Sequence, residues 1–443
     1  MTPSARAKAI LEILERIHTS RIPMDSTMGD YLRFRKYIGS KDRSFIAETS
    51  YTIYRHYGRL SWQLTEAKQE ITPRNLWLAY LYQFEAPIDR FFDESKYAPD
   101  MVTESELSFL KSLPDLSNAP SHVRVECPDN YRASLEQYFG KDFEVEMNAF
   151  LSGASLDIRV NTHLADVEKV QKSLGADRVN TKLGAYVPEC LRVQGKTFLS
   201  RTKAFVKGWI DIQDEGSQLI AHACDVKPSM QVLDYCAGAG GKTLALANRM
   251  KVKGRIVAMD TEAARLDKGK ERFRRAHVSD IIEVRPLSDE RHRKWLKRQK
   301  ETFDVVLTDV PCSGTGTWRR NPDMRWKLYG PTLNELITIQ ADILDRVVHV
   351  VKVGGRLVYA TCSILPEENE NQVTAFLKRH PEFRLKPLHE AWPKDTTLPD
   401  HCTDVMRLTP HRHGTDGFFA AVFERVQSSK PAHTTDNDND GDE

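Results

Sequence analysis

At 443 residues, 28% charged and 40% hydrophobic, the chain has an ordinary globular balance and length enough for two to four domains. No apolar run approaches the ~18 residues of a membrane span, and the start, Met1-Thr2-Pro3-Ser4-Ala5-Arg6, leads into charge instead of a signal core. Seven cysteines without regular spacing argue against a disulfide framework, and no C-x-x-C pair points to a metal. The expectation is therefore a cytoplasmic protein with free thiols, no membrane contact and no metal. Its formal charge of +2 rises to about +7 once Asp436, Asp438, Asp440, Asp442 and Glu443 are set aside, the sign that suits a polyanionic partner.

In chain order, residues 1–120 read as an all-α domain. Ile10, Leu14 and Ile17 recur on one helical face, Thr72-Pro73 opens a helix, and Thr103 with Glu106 forms a capping box. The segment Lys41 to Arg55 mixes bases with aromatics, as either an amphipathic core helix or an RNA-contacting one. Residues around Leu113 to Pro120 read as a linker. Residues 121–208 read as a small α/β module, with a helix over Tyr131–Leu151 and a half-buried strand in Leu156–Thr162.

Strands and helices alternate over 209–426. Gln231–Asp234, Arg255–Met259, Ile281–Val284, Phe303–Thr308 and Arg356–Ala360 form a parallel series, and Asp416-Gly417 turns into a last strand at the end of the sheet. The stretch 427–443 is polar and acidic and is expected to be disordered.

After the first of these strands comes Cys236-Ala237-Gly238-Ala239-Gly240-Gly241-Lys242-Thr243, a glycine turn at a helix start. A Walker loop needs glycine where Cys236 stands, and a dinucleotide fingerprint needs Gly or Ala where Thr243 stands. Both fail, which disfavours a nucleotide hydrolase. What remains is a ligand with one ribose and no phosphate chain, its hydroxyls held by Asp260 at the second strand's end; S-adenosylmethionine fits. Asp289, beyond the third strand, is placed for the adenine edge. Two further strands end in Asp309-Val310-Pro311-Cys312 and Thr361-Cys362-Ser363, so two thiols would share the crevice at the strand carboxyl ends. Cys127, Cys190, Cys224 and Cys402 read as packing.

Asp234 to Thr243, Asp309 to Gly316 and Tyr359 to Ser363 resemble the motifs of the RsmB/Nop2/NSUN family of RNA cytosine-5 methyltransferases. So do Gln213-Asp214-Glu215-Gly216-Ser217-Gln218, Arg319-Arg320-Asn321-Pro322-Asp323 and Asp416-Gly417-Phe418-Phe419. The helical start resembles a NusB-like domain, and Arg159-Val160-Asn161 the family's RNA-binding module. Ala239 stands where the family usually has proline. The resemblance implies a Rossmann-like methyltransferase sheet, an S-adenosyl-L-methionine site of Asp234, Cys236, Ala237, Gly238, Ala239, Gly240, Gly241, Lys242, Asp260, Arg265, Asp289 and Asp309, and catalysis by Cys362, Cys312, Asp309 and Lys242. It further implies RNA as partner, with small-subunit ribosomal RNA favoured by the NusB-like start. Transfer RNA, or a non-catalytic ribosome-assembly role, stands as the alternative.

The chemistry explains the need for such groups. Carbon 5 of cytosine is a poor nucleophile until a thiolate adds to carbon 6. Lowering a thiol pKa by ~2 units nets only about threefold once lost nucleophilicity is counted, so positioning must matter more. Asp309, three residues before Cys312, is the candidate partner for ring nitrogen 3 and would have to be protonated to donate there. The residues alone leave open which thiol attacks; the resemblance assigns attack to Cys362 and release to Cys312. Arg291 to Lys300, with Arg319, Arg320 and Arg325, is the basic set for phosphates, or else a solvated face. Reaching the ring requires an unstacked cytosine. A monomer is expected.

Overall fold

A computed structural model of the protein describes residues 1–84, 86–195 and 197–427. The acidic tail expected from 427 lies outside the described residues apart from Gln427 itself. Among the described residues, no helix is long and apolar enough to cross a membrane.

The start is helical, with helices Pro3–Thr19, Met24–Phe34, Ser40–Arg55, Tyr57–Glu66, Pro73–Gln83 and Glu104–Lys111. Both expected caps form. The Thr72 hydroxyl accepts from the Asn75 N–H at 3.1 Å, and Thr103 and Glu106 cap reciprocally. Ile10, Ile13, Leu14 and Ile17 are at most 1% exposed against Ile46, Ile53, Leu60 and Trp77, each burial worth roughly 1.5–3 kcal/mol. The aromatics of Ser40–Arg55 follow the core reading, since Tyr54 is buried and Phe45 stacks on Phe91.

The helix expected over 131–151 is two helices, Asp129–Phe139 and Phe143–Ala149, separated at Gly140 by its φ of +52°. Their apolar faces pack Leu135, Phe139 and Phe150 against Trp318, Ile364 and Leu365, beside the two cysteine-tipped segments. A four-stranded antiparallel sheet follows, from β1 (Asp157–Val160), β2 (Thr181–Leu183), β3 (Cys190–Val193) and β4 (Ile210–Ile212), in the order β2-β3-β1-β4. β1 alternates in sequence, yet all four residues are buried. Its apolar side, Ile158 and Val160, fills the small core. Its polar side is covered too: Asp157 pairs with Arg192 at 2.7 Å, and Arg159 donates to Gln213 and, at 3.2 Å, to the carbonyl of Gly241. Arg159 thus supports the glycine turn from behind.

The large sheet contains β5 (Gln231–Asp234), β6 (Arg255–Asp260), β7 (Ile282–Pro286), β8 (Phe303–Asp309), β9 (Val351–Thr361), β10 (Phe383–Leu385), β11 (Met406–Leu408) and β12 (Phe418–Arg425). The order is β10-β12-β9-β8-β5-β6-β7, with β11 also paired to β12, and β5 to β9 run parallel. The last strand is not at the sheet's end. β12 enters antiparallel between β9 and β10, which its continuous apolar run, Phe418 to Phe423, permits because both faces are covered. From β5 the chain goes first to β6 and β7 on one side, then to β8 and β9 on the other. A crevice therefore opens at the carboxyl ends of β5 and β8.

Candidate active site

The turn after β5 closes on β6. Gly238 and Gly240 have φ of +55° and +79°, and a Cβ on Gly240 would strike the Phe273 ring. The Gly238 N–H donates to Asp260 Oδ2 at 2.8 Å and the Glu262 N–H to Oδ1 at 2.9 Å. Each of these oxygens retains a second lone pair, so Asp260 can still accept from two neighbouring hydroxyls. Asp234 is fully buried behind the turn, where the Thr243 hydroxyl donates to it at 2.6 Å and burial pushes its carboxyl up to about 7.

A cavity of about 920 Å³ opens from this turn, walled by Cys236, Ala237, Gly238, Ala239, Gly241, Lys242, Asp260, Arg265, Asp309, Cys312 and Cys362. That size suits a small-molecule ligand. The donor set fits S-adenosylmethionine: backbone at the glycine turn, a carboxylate for ribose hydroxyls, apolar Leu287 for a base, and thiols at the far end. Asp234 and Gly240 shape the turn from outside the wall. Asp289 is also outside it: it caps helix Glu290–Lys297 through the Arg291 N–H at 2.8 Å and pairs with the Arg291 guanidinium at 2.7 Å. An Asp after a strand found the commoner use of that position, a helix N-cap.

The far end brings the other candidates together. The sulfurs of Cys312 and Cys362 lie 3.3 Å apart, and Lys242 Nζ donates to Asp309 Oδ2 at 2.6 Å. Burial pulls the Lys242 ammonium down, but Asp309 and then Cys362 more than offset it, so it is held above its usual value. Cys312 is pushed up by its hydrogen bond to Cys362, then by burial, then by the charges of Cys362 and Glu368. A cation thus faces one thiol and a carboxylate the other. Cys236 is pushed up by burial, while Cys127, Cys190, Cys224 and Cys402 are buried in packing.

Sequence reasoning missed what surrounds the thiols. Each cysteine is followed by serine, and Ser313 Oγ and Ser363 Oγ lie 3.2 Å apart, with Thr315 3.0 Å from Ser363. Glu368, fully buried, accepts from the Ser313 N–H at 2.8 Å and hydroxyl at 2.5 Å. The repeated Cys-Ser pair was the available signal.

The motifs without an assigned part in the chemistry meet nearby. Arg319 Nε donates to Asp416 Oδ1 at 2.5 Å, Arg320 bridges Asp416 and Asp214, the latter at 2.7 Å, and all but Arg320 are nearly inaccessible. Gly417 N–H donates to Gly316 O at 2.8 Å and Gly316 N–H to Cys362 O at 2.9 Å, an approach so close that a Cβ on Gly316 would collide with Gly417 O. Arg319 and Arg325 are therefore committed inside the protein, Arg325 being 4% exposed over the Trp318 ring, and Arg320 is held by two carboxylates while a third of its side chain stays exposed. The run 291–300, helical as far as Lys297, is mostly solvated with only Leu296 buried. The buried trio Asp157, Cys190 and Glu215, a candidate metal group by proximity, already holds the Arg192 guanidinium between its two carboxylates.

This sheet, turn and cavity define an S-adenosylmethionine-dependent methyltransferase of Rossmann-like fold. A family model described as 16S rRNA methyltransferase RsmB/F matches residues 221–424. The chain is 34% identical over 318 residues to a probable ribosomal RNA small subunit methyltransferase B of Synechocystis, covering 71% of this chain and 70% of that one. It resembles the crystal structure of PH0851 with a TM-score of 0.77 at 28% identity, over 96% of this chain and 99% of that one. It also shares its fold with NSun6 from Pyrococcus horikoshii, solved with SFG, at a TM-score of 0.59 and 22% identity, over 68% of this chain and 99% of that one. The chain belongs to the RsmB/F methyltransferase family.

Proposed function

We propose that this protein methylates carbon 5 of a cytosine in RNA, with small-subunit ribosomal RNA as the substrate. The observation that carries the reading is the pair of sulfurs 3.3 Å apart in the wall of the cofactor cavity. The relatives' names supply the choice of RNA. The cofactor supplies the methyl group. Cys362, facing Lys242, adds as thiolate to carbon 6, and the electron pair so placed on carbon 5 takes the methyl. Carbon 5 then gives its proton to water, and the carbon 6–sulfur bond breaks with Cys362 leaving as thiolate and Cys312 standing beside it. Asp309 and Lys242 form a joined acid–base pair for the ring nitrogen edge, so the proton needed there comes from the Lys242–Asp309 pair rather than from a lone protonated Asp309.

RNA contacts are assigned to the helical start (1–120) and the module that follows it (121–208). Phe34 and Tyr37 are 79% and 73% exposed, next to exposed Arg33, Lys36 and Lys41, a surface suited to stacking bases between phosphate-binding cations. The protein acts as a monomer in the cytoplasm on this reading. Incubation with RNA and cofactor followed by denaturing electrophoresis tests it. Cys362→Ala gives no covalent RNA adduct and Cys312→Ala accumulates one; adducts in the opposite variant would exchange the roles. Mapping 5-methylcytosine in total RNA with and without the gene separates ribosomal from transfer RNA.

A further inference from the structure

Cys312 sits in a short segment that is clamped on both sides. The Pro311 carbonyl before it accepts from Gln340 Nε2 at 3.0 Å, and the Ser313 N–H after it donates to Glu368 at 2.8 Å. Gln340 and Glu368 are themselves joined at 2.9 Å and fully buried, and the Tyr359 hydroxyl donates to the Glu368 carbonyl at 2.5 Å. Glu368 follows Cys362 by six residues, so one turn of chain carries the attacking thiol and the group that seats its neighbour. A carboxylate taken out of water and fixed by three donors, the Ser313 N–H, the Ser313 hydroxyl and Gln340 Nε2, is costly to place there without a use.

The geometry points to Glu368 as the positioning residue of Cys312, fixing it as the thiol that keeps its proton while Cys362 attacks; this rests on the cytosine-5 reading above. The groups facing Cys312 are Tyr359 from β9, Cys362 just after that strand, Glu368 from the turn that follows, and the Lys242–Asp309 pair across the cavity. Of these, Lys242 is the cation, and it is spent on Asp309. The fixed negative charge of Glu368 disfavours a thiolate at Cys312. By seating Cys312 beside the adduct, Glu368 also serves the release step.

The test is site-resolved alkylation by iodoacetamide of the full chain without RNA, from neutral to alkaline pH, read by mass spectrometry. In the unsubstituted protein Cys312 is expected to react at higher pH than Cys362. Glu368→Gln, nearly the same shape without the charge, should raise Cys312 alkylation at neutral pH by about tenfold for each unit its titration falls, and Glu368→Asp should largely restore the original profile. A Glu368→Gln profile superimposed on the parent's overturns the proposal. So does a Cys312 that reacts at lower pH than Cys362 in the unsubstituted chain, a result that needs no variant to fold. Adduct trapping with RNA is the separate arm: Glu368→Gln should hold the Cys362 adduct longer, and an absence of any cysteine adduct would refute the cytosine-5 reading while the alkylation result stands by itself.

Discussion

Asp416→Ala removes one of two carboxylates that hold two arginines in a nearly dry pocket. Arg319 would keep only the Gly414 carbonyl at 3.1 Å and Asp214 at 3.6 Å, and Arg320 would keep Asp214 at 2.7 Å. Stranding a buried charge in this way costs ~3–5 kcal/mol, against a total of ~5–15 kcal/mol for a domain. The variant should therefore fold, with a melting temperature lower by roughly 10 °C. The effect on chemistry follows from the hydrogen bonds next door. Gly417 binds Gly316, and Gly316 binds Cys362, so loosening residue 416 frees the segment that carries Cys312. A misplacement of ~1 Å can cost about 10²-fold in rate. Cofactor affinity should hold, because Asp260 and the glycine turn lie on the β5–β6 side of the cavity. Thermal unfolding, equilibrium cofactor binding and single-turnover methyl transfer separate these effects. Unchanged melting with an unchanged single-turnover rate would refute the bracing argument, and a loss confined to cofactor binding would place the cluster's effect elsewhere.

Burial, with Arg59, Arg55 and Arg325 nearby, depresses His56 to about 4. Its neutral form is favoured in the fold, so the stability it contributes is present above pH ~6.5 and is lost as pH falls through 4, by up to about 3 kcal/mol; denaturant midpoints should show this acid sensitivity, and His56→Gln should flatten that part of the profile. Phe34→Ala with Tyr37→Ala should weaken RNA binding by ~1–3 kcal/mol for each stacked base, leaving cofactor affinity and melting temperature unchanged in calorimetry and thermal melts.

The sequence is most legible where one local rule decides the outcome. Thr72, Thr103 and Glu106 cap helices as their spacing requires, and the five parallel strands lie within a few residues of their expected bounds because apolar runs between turn signals leave little choice. The thiol pair was legible since both strands end in cysteine and their carboxyl ends share a crevice. Its distance was not, as that depends on Gly316 touching Gly417, just before β12 and about 100 residues away. Asp289 and the arginines of Arg319-Arg320 show the same limit from the other direction. A charged residue in a motif can serve a ligand or the protein itself, and only the tertiary neighbours decide: Arg291 claims Asp289, and Asp214 with Asp416 claims both arginines. Burial of β1's polar face was likewise invisible, because its alternation is correct for a sheet with one wet face and nothing local says that Arg192 and Gln213 will cover the other.

The segment after Cys312 is held from the helical side as well, and this ties the helical start to the active-site cavity. Asp323 accepts from the Met24 N–H at 2.8 Å, Arg55 donates to the Arg319 carbonyl at 3.0 Å, and Trp326 donates to the Tyr54 carbonyl while packing on Gly58. Lys327 places its ammonium at the end of helix Pro3–Thr19, on the carbonyls of Ile17, His18 and Ser20, the last two at 3.0 Å, where the helix dipole is negative. Lys327→Met keeps the apolar stem and removes these bonds. Charged hydrogen bonds of this kind are worth ~1.5–3 kcal/mol, too little to unfold the protein but enough to raise the open population of the segment by about ten- to a hundredfold. Hydrogen exchange should therefore quicken over 319–330 while the Gln231–Asp260 region stays protected, and methyl transfer should slow at constant cofactor affinity. Exchange that is unchanged over 319–330, or that quickens equally in both regions, would mean that the helical start does not hold the Cys312 segment in place.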